Sequence, residues 1–209
     1  MKKVFFSIAC IALVALSAQA QDPEMRIGAK AGINYTMVAY SVDEGDAPDS
    51  DNGIGWHVGA YLEKNFNDLI GIRPELVLSS RGIQKTIEVQ GENTDITGSS
   101  LFLEIPVLLN LTISPNFSAH VGPEFDLLMS NTVKIDGEKD DDHSTTDGKN
   151  TFLIGAAIGV FYELDMGLNF SLRYVYDFTQ TNEDEKGDFG YKEKMSLLQL
   201  SAGYSFVKK

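Results

Sequence analysis

The chain has 209 residues, a formal net charge of -13 and a single cysteine. This length suits one barrel of about eight strands with its loops, and the acidic excess argues against nucleic acid, whose phosphates attract Lys and Arg. It also disfavours electrostatic attachment to anionic lipid surfaces.

Residues 1–20 have the pattern of a cleaved secretory signal peptide. Lys2 and Lys3 precede an apolar run over residues 4–16, and Ala18-Gln19-Ala20 provides a small-residue cleavage site. The run is shorter than the roughly 20 residues that a membrane-spanning helix needs. We therefore predict that residues 21–209 form one exported domain. Cys10 leaves with the signal peptide, so this domain must be stable without disulfides.

The first predicted strand, residues 26–40, alternates between two kinds of side chain. Its odd positions from Ile27 to Ala39 are apolar or aromatic, and its even positions from Gly28 to Thr36 are glycine or polar. Since successive side chains of a strand leave opposite faces, one face is apolar and the other polar. At transmembrane-strand length, the apolar face contacts lipid and the polar face lines a closed barrel.

The same alternation recurs in seven further segments, at residues 54–64, 70–80, 101–111, 117–130, 151–163, 168–179 and 195–207. The connections are alternately long (41–53, 81–99, 131–150, 180–194) and short (65–69, 112–116, 164–167). We therefore predict an all-β fold, an eight-stranded antiparallel up-and-down transmembrane β-barrel formed by residues 21–209. Its short turns would be periplasmic and its long, acidic loops extracellular.

One long connection, residues 81–99, contains a second alternating stretch. Ile87 and Val89 alternate there with polar residues, but out of phase with Leu76 and Leu78. This shift predicts a bulge or kink near Gly82 and a hairpin that projects beyond the bilayer.

Three prolines, Pro74, Pro106 and Pro123, fall inside predicted strands. Each removes a hydrogen-bond donor, and a closed barrel has no edge strand on which to place it. Pro106 and Pro123 are almost equidistant from the turn at Pro115, so we expect them to lie near one another.

Charged residues recur on the polar faces of the predicted strands: Lys30, Glu63, Arg73, Glu75, Glu104, Glu124, Asp126, Glu163, Arg173 and Asp177. The interior of an eight-stranded barrel is only just wide enough for side chains, which disfavours a through-channel. Because unpaired buried charges are costly, we interpret the set as a structural network of cations paired with carboxylates. A gated pore or a proton path is the alternative.

His57 and His120 also lie on the predicted polar face. A barrel enzyme that modifies lipid would need a Ser–His–acid set at the outer, lipid-exposed rim. Ser118 and His120 instead lie close to a predicted periplasmic turn and point inward. We interpret both histidines as hydrogen-bonded lumen residues and predict no catalytic residue.

The acidic loops contain one segment that resembles a calcium loop, Asp49-Ser50-Asp51-Asn52-Gly53. It lacks the carboxylate spacing and the distal Glu of a dedicated site. We interpret it as solvated loop and predict neither a metal site nor a cofactor.

Aromatic residues on the apolar faces form two belts, as expected for interfacial girdles. The belt toward the long loops comprises Trp56, Phe125, Phe152, Tyr174, Tyr176 and Phe178. The belt toward the short turns comprises Phe66, Phe117, Tyr162, Phe170, Tyr204 and Phe206.

Four short motifs resemble those of the PorT-like family of outer-membrane β-barrels. They are Gly-x-Lys-x-Gly-x-Asn at residues 28–34, Pro-Glu-Leu at 74–76, Leu-Glu-Ile-Pro at 103–106 and Arg-Tyr at 173–174. The resemblance covers essentially the whole mature chain. It implies an eight-stranded barrel in a Gram-negative outer membrane, with a link to protein secretion and export to the cell surface.

The sequence thus favours an outer-membrane protein with a structural or interaction role through its acidic loops, and not an enzyme. Its expected partners are outer-membrane lipid and, through the resemblance, envelope or secretion proteins; we expect a monomer that binds no nucleic acid. The alternatives are a lipid-modifying barrel enzyme and a soluble lipocalin-like carrier. A carrier would place Leu103, Leu172 or Leu200 in a dry central cavity.

Overall fold

The computed structural model describes residues 25–41, 51–89, 92–135, 143–144, 149–181 and 192–206. It contains eight long strands: β1 (Met25–Ser41), β2 (Asp51–Asn65), β3 (Ile70–Val89), β4 (Glu92–Ser114), β5 (Phe117–Ile135), β6 (Phe152–Glu163), β7 (Leu168–Asp177) and β8 (Lys192–Ser205). A two-residue strand, His143–Ser144, pairs with β5. No helix among the described residues is long and apolar enough to cross a membrane. The predicted signal peptide lies outside the described residues.

The eight strands form one closed sheet. Each strand pairs antiparallel with its neighbours in chain order, and β8 pairs back with β1. The closing β1–β8 ladder keeps a single register from the Gly28–Ser205 pair to the Ser41–Lys192 pair. The predicted all-β, eight-stranded antiparallel up-and-down barrel is therefore confirmed.

The wall of the barrel is apolar outside and polar inside. Leu172 is 44% exposed and Leu200 53% exposed on the outer surface, whereas Glu104 and Arg173 are 0% and 4% exposed in the lumen. A soluble carrier has the opposite arrangement, so that alternative is wrong. Most predicted girdle aromatics are exposed on the outer wall: Trp56, Phe66, Phe152, Tyr162, Phe170, Tyr174, Tyr176, Phe178, Tyr204 and Phe206.

The hairpin of β3 and β4 is much longer than the alternation predicted. These strands have 20 and 23 residues, whereas about 9–11 residues cross a bilayer. Their ladder continues to the Val89–Glu92 pair, so most of the predicted loop at residues 81–99 is paired strand.

The bulge or kink expected near Gly82 has no counterpart in the β3–β4 register. On the other side of β3, however, the β2–β3 ladder skips the residues between the Trp56–Ser80 and Asn52–Gln84 pairs, beside Gly82. Gly82 pairs with Ser99 in the same β3–β4 register as the residues on either side. A register shift occurs instead between β4 and β5, where Leu101 pairs with Ser130 but Phe102 pairs with Leu128. Met129 is therefore the extra residue of a bulge on β5. Along β3, the apolar residues change from even to odd positions, although the pairing of β3 with β4 keeps one register.

The three strand prolines lie on adjacent strands and interrupt the ladders there. Pro106 pairs with Glu124, the residue after Pro123, so Pro106 and Pro123 are neighbours as expected. The β3–β4 ladder skips two residues on each strand after the Pro74 pair, and the β4–β5 ladder skips two on each strand beside Pro123. We call this part of the wall the proline seam.

Candidate functional site

Alternation along the strands directs a large set of polar side chains into the lumen. Among the ten charged residues predicted for the luminal network, the Glu163 side chain is 19% exposed. The structure places the other nine at 4% exposure or less: Lys30, Glu63, Arg73, Glu75, Glu104, Glu124, Asp126, Arg173 and Asp177. It brings them together in two groups with different charge balance.

The first group is the turn-side cluster, made of Arg26, Lys30, Glu63, Arg73, Glu75, Glu163 and Arg173. Glu75 is its centre. Arg173 donates to both Glu75 oxygens, at 2.7 and 3.0 Å. Arg73 Nε donates to Glu75 Oε1 at 3.1 Å, and Lys30 Nζ lies 2.5 Å from Glu75 Oε2. Three cations thus share one buried carboxylate, which satisfies its oxygens with charge-assisted bonds.

The other carboxylates of this cluster balance the remaining cations. Arg73 Nη1 donates to Glu63 Oε2 at 3.2 Å, and Arg26 bonds both Glu63 and, at 2.9 Å, Glu163. The Arg73 guanidinium also lies 3.6 Å from the ring centroid of Tyr61, a favourable cation–π arrangement. With four cations and three carboxylates, the turn-side cluster has a formal charge of +1.

The second group is the loop-side cluster, made of Arg81, Glu104, Glu124, Asp126 and Asp177. Arg81 Nη1 donates to Asp177 Oδ2 at 2.7 Å. Its Nη2 donates to Asp126 Oδ2 at 2.5 Å and to Glu104 Oε1 at 2.9 Å. Glu124 Oε1 is farther away, 3.9 Å from Arg81 Nη2. One guanidinium faces four carboxylates, so the fully ionised cluster has a formal charge of -3.

Neutral side chains complete the luminal network. Gln199 Nε2 donates to Glu104 Oε2 at 3.1 Å. His57 Nδ1 lies 2.7 Å from Asn34 Oδ1, an atom that only accepts, so this nitrogen carries the proton. His57 Nε2 then accepts from the Ser201 hydroxyl at 2.7 Å. The prediction that His57 is a hydrogen-bonded lumen residue is confirmed.

The Ser118 and His120 pair lies inside the barrel and not at its lipid-exposed surface. Ser118 Oγ is 3.4 Å from His120 Nε2, longer than a good hydrogen bond. His120 stacks on Phe161 with ring centroids 5.4 Å apart, and both members of the pair are buried. A lipid at the outer rim would not reach this hydroxyl, so the pair does not fit a lipid-modifying enzyme.

Apolar side chains fill the lumen between the polar groups. Leu108, Ala157, Val175 and Leu197 form one buried cluster, and Phe102, Leu128 and Leu153 form another. Ion pairs and apolar packing together occupy the interior of the described barrel. This arrangement suits a structural network better than a pore or a proton path.

Sequence analysis missed Arg81 and Arg26. Arg81 is the first residue of the predicted connection 81–99, where the apolar alternation of the preceding strand stops. Yet Arg73, Ser79 and Arg81 share one parity, and continuing the alternation by a single step would have found it. Arg26 shares the parity of Lys30 on β1, and this signal was also available.

The calcium-like segment is only partly described. Asp51 belongs to β2, and Tyr40 donates its hydroxyl to Asp51 Oδ2 at 2.6 Å. Asp49 and Ser50 lie outside the described residues, as do the most acidic parts of the other long loops.

Comparison with known proteins agrees with the geometry. Residues 18–183 match the family model described as outer membrane protein beta-barrel domain. No curated protein matches the sequence. Among solved structures, Neisserial surface protein A is 14% identical, with 86% of this chain and 97% of that chain covered and a TM-score of 0.52. This likeness supports the barrel fold alone.

Two further structures are less similar in shape. OprG from Pseudomonas aeruginosa is 16% identical, with 87% and 95% of the two chains covered and a TM-score of 0.43. Ail of Yersinia pestis is 15% identical, with 86% and 98% covered and a TM-score of 0.41.

Proposed function

Because the chain belongs to the outer membrane protein β-barrel domain family, we propose that it is a non-catalytic protein whose sealed barrel holds acidic loops at the cell surface for partner binding. Its location is the outer membrane, where lipid contacts the apolar wall. The barrel is then a rigid frame, and the specific interactions belong to the loops.

The filled lumen is the observation that carries this proposal. Two ion-paired clusters and two apolar clusters occupy the interior, and their side chains are almost fully buried, except those of Arg26 and Glu163, which are 21% and 19% exposed. Side chains held by several charge-assisted bonds resist the rearrangement that a conducting pathway would need. Function through the lumen is therefore disfavoured relative to function at the surface.

The loop sequences suggest the chemistry of the partner. Residues 42–50, 136–142 and 182–191 are rich in Asp and Glu, and a partner with a complementary basic surface would associate faster and more specifically. The resemblance to PorT-like barrels makes another envelope or secretion protein the favoured partner, with a role in protein export. A monomeric barrel would suffice for this role.

A pull-down from native membranes in mild detergent tests the proposal. The bait is the full chain, compared with a loop variant, D140N/D141N/D142N, and with a turn variant, Asp165→Asn, as the matched control. We expect an envelope protein that wild type and Asp165→Asn retain and that the loop variant loses. Heat-modifiable gel mobility checks that all three barrels are folded.

Two outcomes would contradict the proposal. One is a set of retained proteins that is the same for the loop variant and wild type. The other is ion conductance by the purified wild type in planar bilayers, which a sealed lumen does not allow.

A further inference from the structure

The loop-side cluster has more carboxylate oxygens than its neighbours bond. Arg81 bonds one oxygen each of Glu104, Asp126 and Asp177, and Gln199 bonds the second oxygen of Glu104. These bonds use four of the eight carboxylate oxygens of the loop-side cluster. Both oxygens of Glu124, together with Asp126 Oδ1 and Asp177 Oδ1, are buried and accept no hydrogen bond from the residues that the structure describes.

Glu124 is the clearest case among these carboxylates. It is 0% exposed, and its contact with Arg81 is the long one, at 3.9 Å. A buried carboxylate that is neither solvated nor hydrogen-bonded is strongly unfavourable, and a positively charged ligand is one way to compensate it. The side chain is aimed into the cluster, toward the oxygens of Glu104 and Asp126.

The spacing of these oxygens fits a metal ion. One carboxylate oxygen from each of Glu104, Glu124 and Asp126 lies within 4.8 Å of the other two. Calcium binds oxygens at about 2.3–2.6 Å, so two ligands on opposite sides of the ion are separated by about 5 Å. Separations within this limit also admit magnesium, whose bonds are about 2.0–2.1 Å, but magnesium demands near-octahedral geometry and releases its waters reluctantly, whereas calcium accepts an irregular set of buried carboxylate oxygens.

We propose that Glu104, Glu124 and Asp126 form a luminal binding site for one hard divalent cation of calcium size. The ion takes its ligands from β4 and β5, and it lies on the side of the carboxylates that Arg81 does not occupy. Its two charges change the loop-side cluster from -3 to -1. Together with the +1 of the turn-side cluster, the two clusters then reach formal neutrality.

Calcium binding to the purified full-length barrel tests this site. The protein is refolded in detergent micelles after chelator treatment, with calcium supplied during refolding so that barrel closure does not limit access. Refolding is repeated at a series of free calcium concentrations, and the calcium retained per folded chain after gel filtration, counted by elemental analysis, gives stoichiometry and half-saturation for wild type, Glu124→Gln and the control Asp165→Asn. We expect one calcium per chain in wild type and control, and binding at least ten-fold weaker in Glu124→Gln.

Thermal unfolding provides a second measurement. Calcium should raise the unfolding midpoint of wild type and leave that of Glu124→Gln unchanged, because a ligand that binds only the folded state stabilises it. If Glu124→Gln does not fold, Asp126→Asn replaces it with the same expected loss. Magnesium should bind more weakly than calcium.

Several results would overturn the proposal: no saturable calcium binding to wild type, the same affinity in Glu124→Gln, or magnesium binding as tight as calcium. A midpoint that responds to pH but not to calcium would also overturn it, since protons alone would then neutralise the cluster. The loop variant D140N/D141N/D142N should keep the luminal calcium while losing the surface partner. The cation site and the surface function can therefore fail independently.

Discussion

At the scale of single residues, Arg81 shows that the alternation of a strand predicts the direction of a side chain but not its partners. Alternation determines that its side chain points inward, but its partners lie on β4, β5 and β7, at sequence separations of 23, 45 and 96 residues. Such partners depend on closure of the barrel and on the relative height of strands that are distant in sequence. Sequence analysis therefore identified the luminal carboxylates and not the cation that joins them.

Replacing Arg81 with Met should destabilise the barrel strongly. The change leaves buried carboxylates without their shared cation, which typically costs about 3–5 kcal/mol. Arg26→Met is the matched control: Arg26 is 21% exposed, and its partner Glu63 also bonds Arg73. The control should lose only about 1 kcal/mol. Urea titration in lipid vesicles, followed by gel mobility, measures both losses, and equal losses would contradict a central role for Arg81.

At the scale of elements, the proline seam depends on a close approach between β4 and β5. Gly122 precedes Pro123, and a Cβ added at Gly122 would overlap the Val107 carbonyl oxygen and lie 2.9 Å from Leu108 Cα. A glycine at this position lets the strands stay close where ladder pairs are missing. Closure of the barrel wall between β4 and β5 therefore requires a residue without a side chain at position 122.

Gly122→Ala should therefore be destabilising by about 1–3 kcal/mol, as for overpacking of a tight contact. Gly98 on β4 is the matched control, because a Cβ there would meet only Ile83 atoms at 3.8 and 4.0 Å. Gly98→Ala should be neutral or stabilising by up to about 1 kcal/mol. The same unfolding measurement compares the two variants, and a larger loss at Gly98 would contradict the close-approach argument.

The eight strands and their two faces could be predicted from the sequence because alternation with period two follows directly from strand geometry. The sequence did not allow us to predict where β3 ends and where β4 begins. Beyond the bilayer, lipid no longer selects apolar residues on one face, so the pattern of residues 81–99 changed while the pairing continued. The slip at Met129 and the interrupted ladders at the prolines depend on neighbouring strands and have no signal within one strand.

At the scale of the whole molecule, the alternation of long and short connections predicts the orientation in the membrane. A short epitope inserted between Lys139 and Asp140 should bind antibody on intact cells. The same epitope between Asp165 and Met166, in a short turn, should bind only after the outer membrane is permeabilised, because we expect the short turns to face the periplasm. Flow cytometry of both strains measures the difference, and labelling of the turn epitope on intact cells would contradict this orientation.

The long β3–β4 ladder also has a mechanical consequence. A pull on the hairpin tip along the strand direction would move β3 and β4 together. It would therefore load the β2–β3 and β4–β5 ladders, whose hydrogen bonds run perpendicular to the strands, many at once. The hairpin would then act as a tether under shear, which is much harder to rupture than a ladder opened one bond at a time. A partner or surface attached at residues 89–92 would transmit tension straight into one side of the barrel wall.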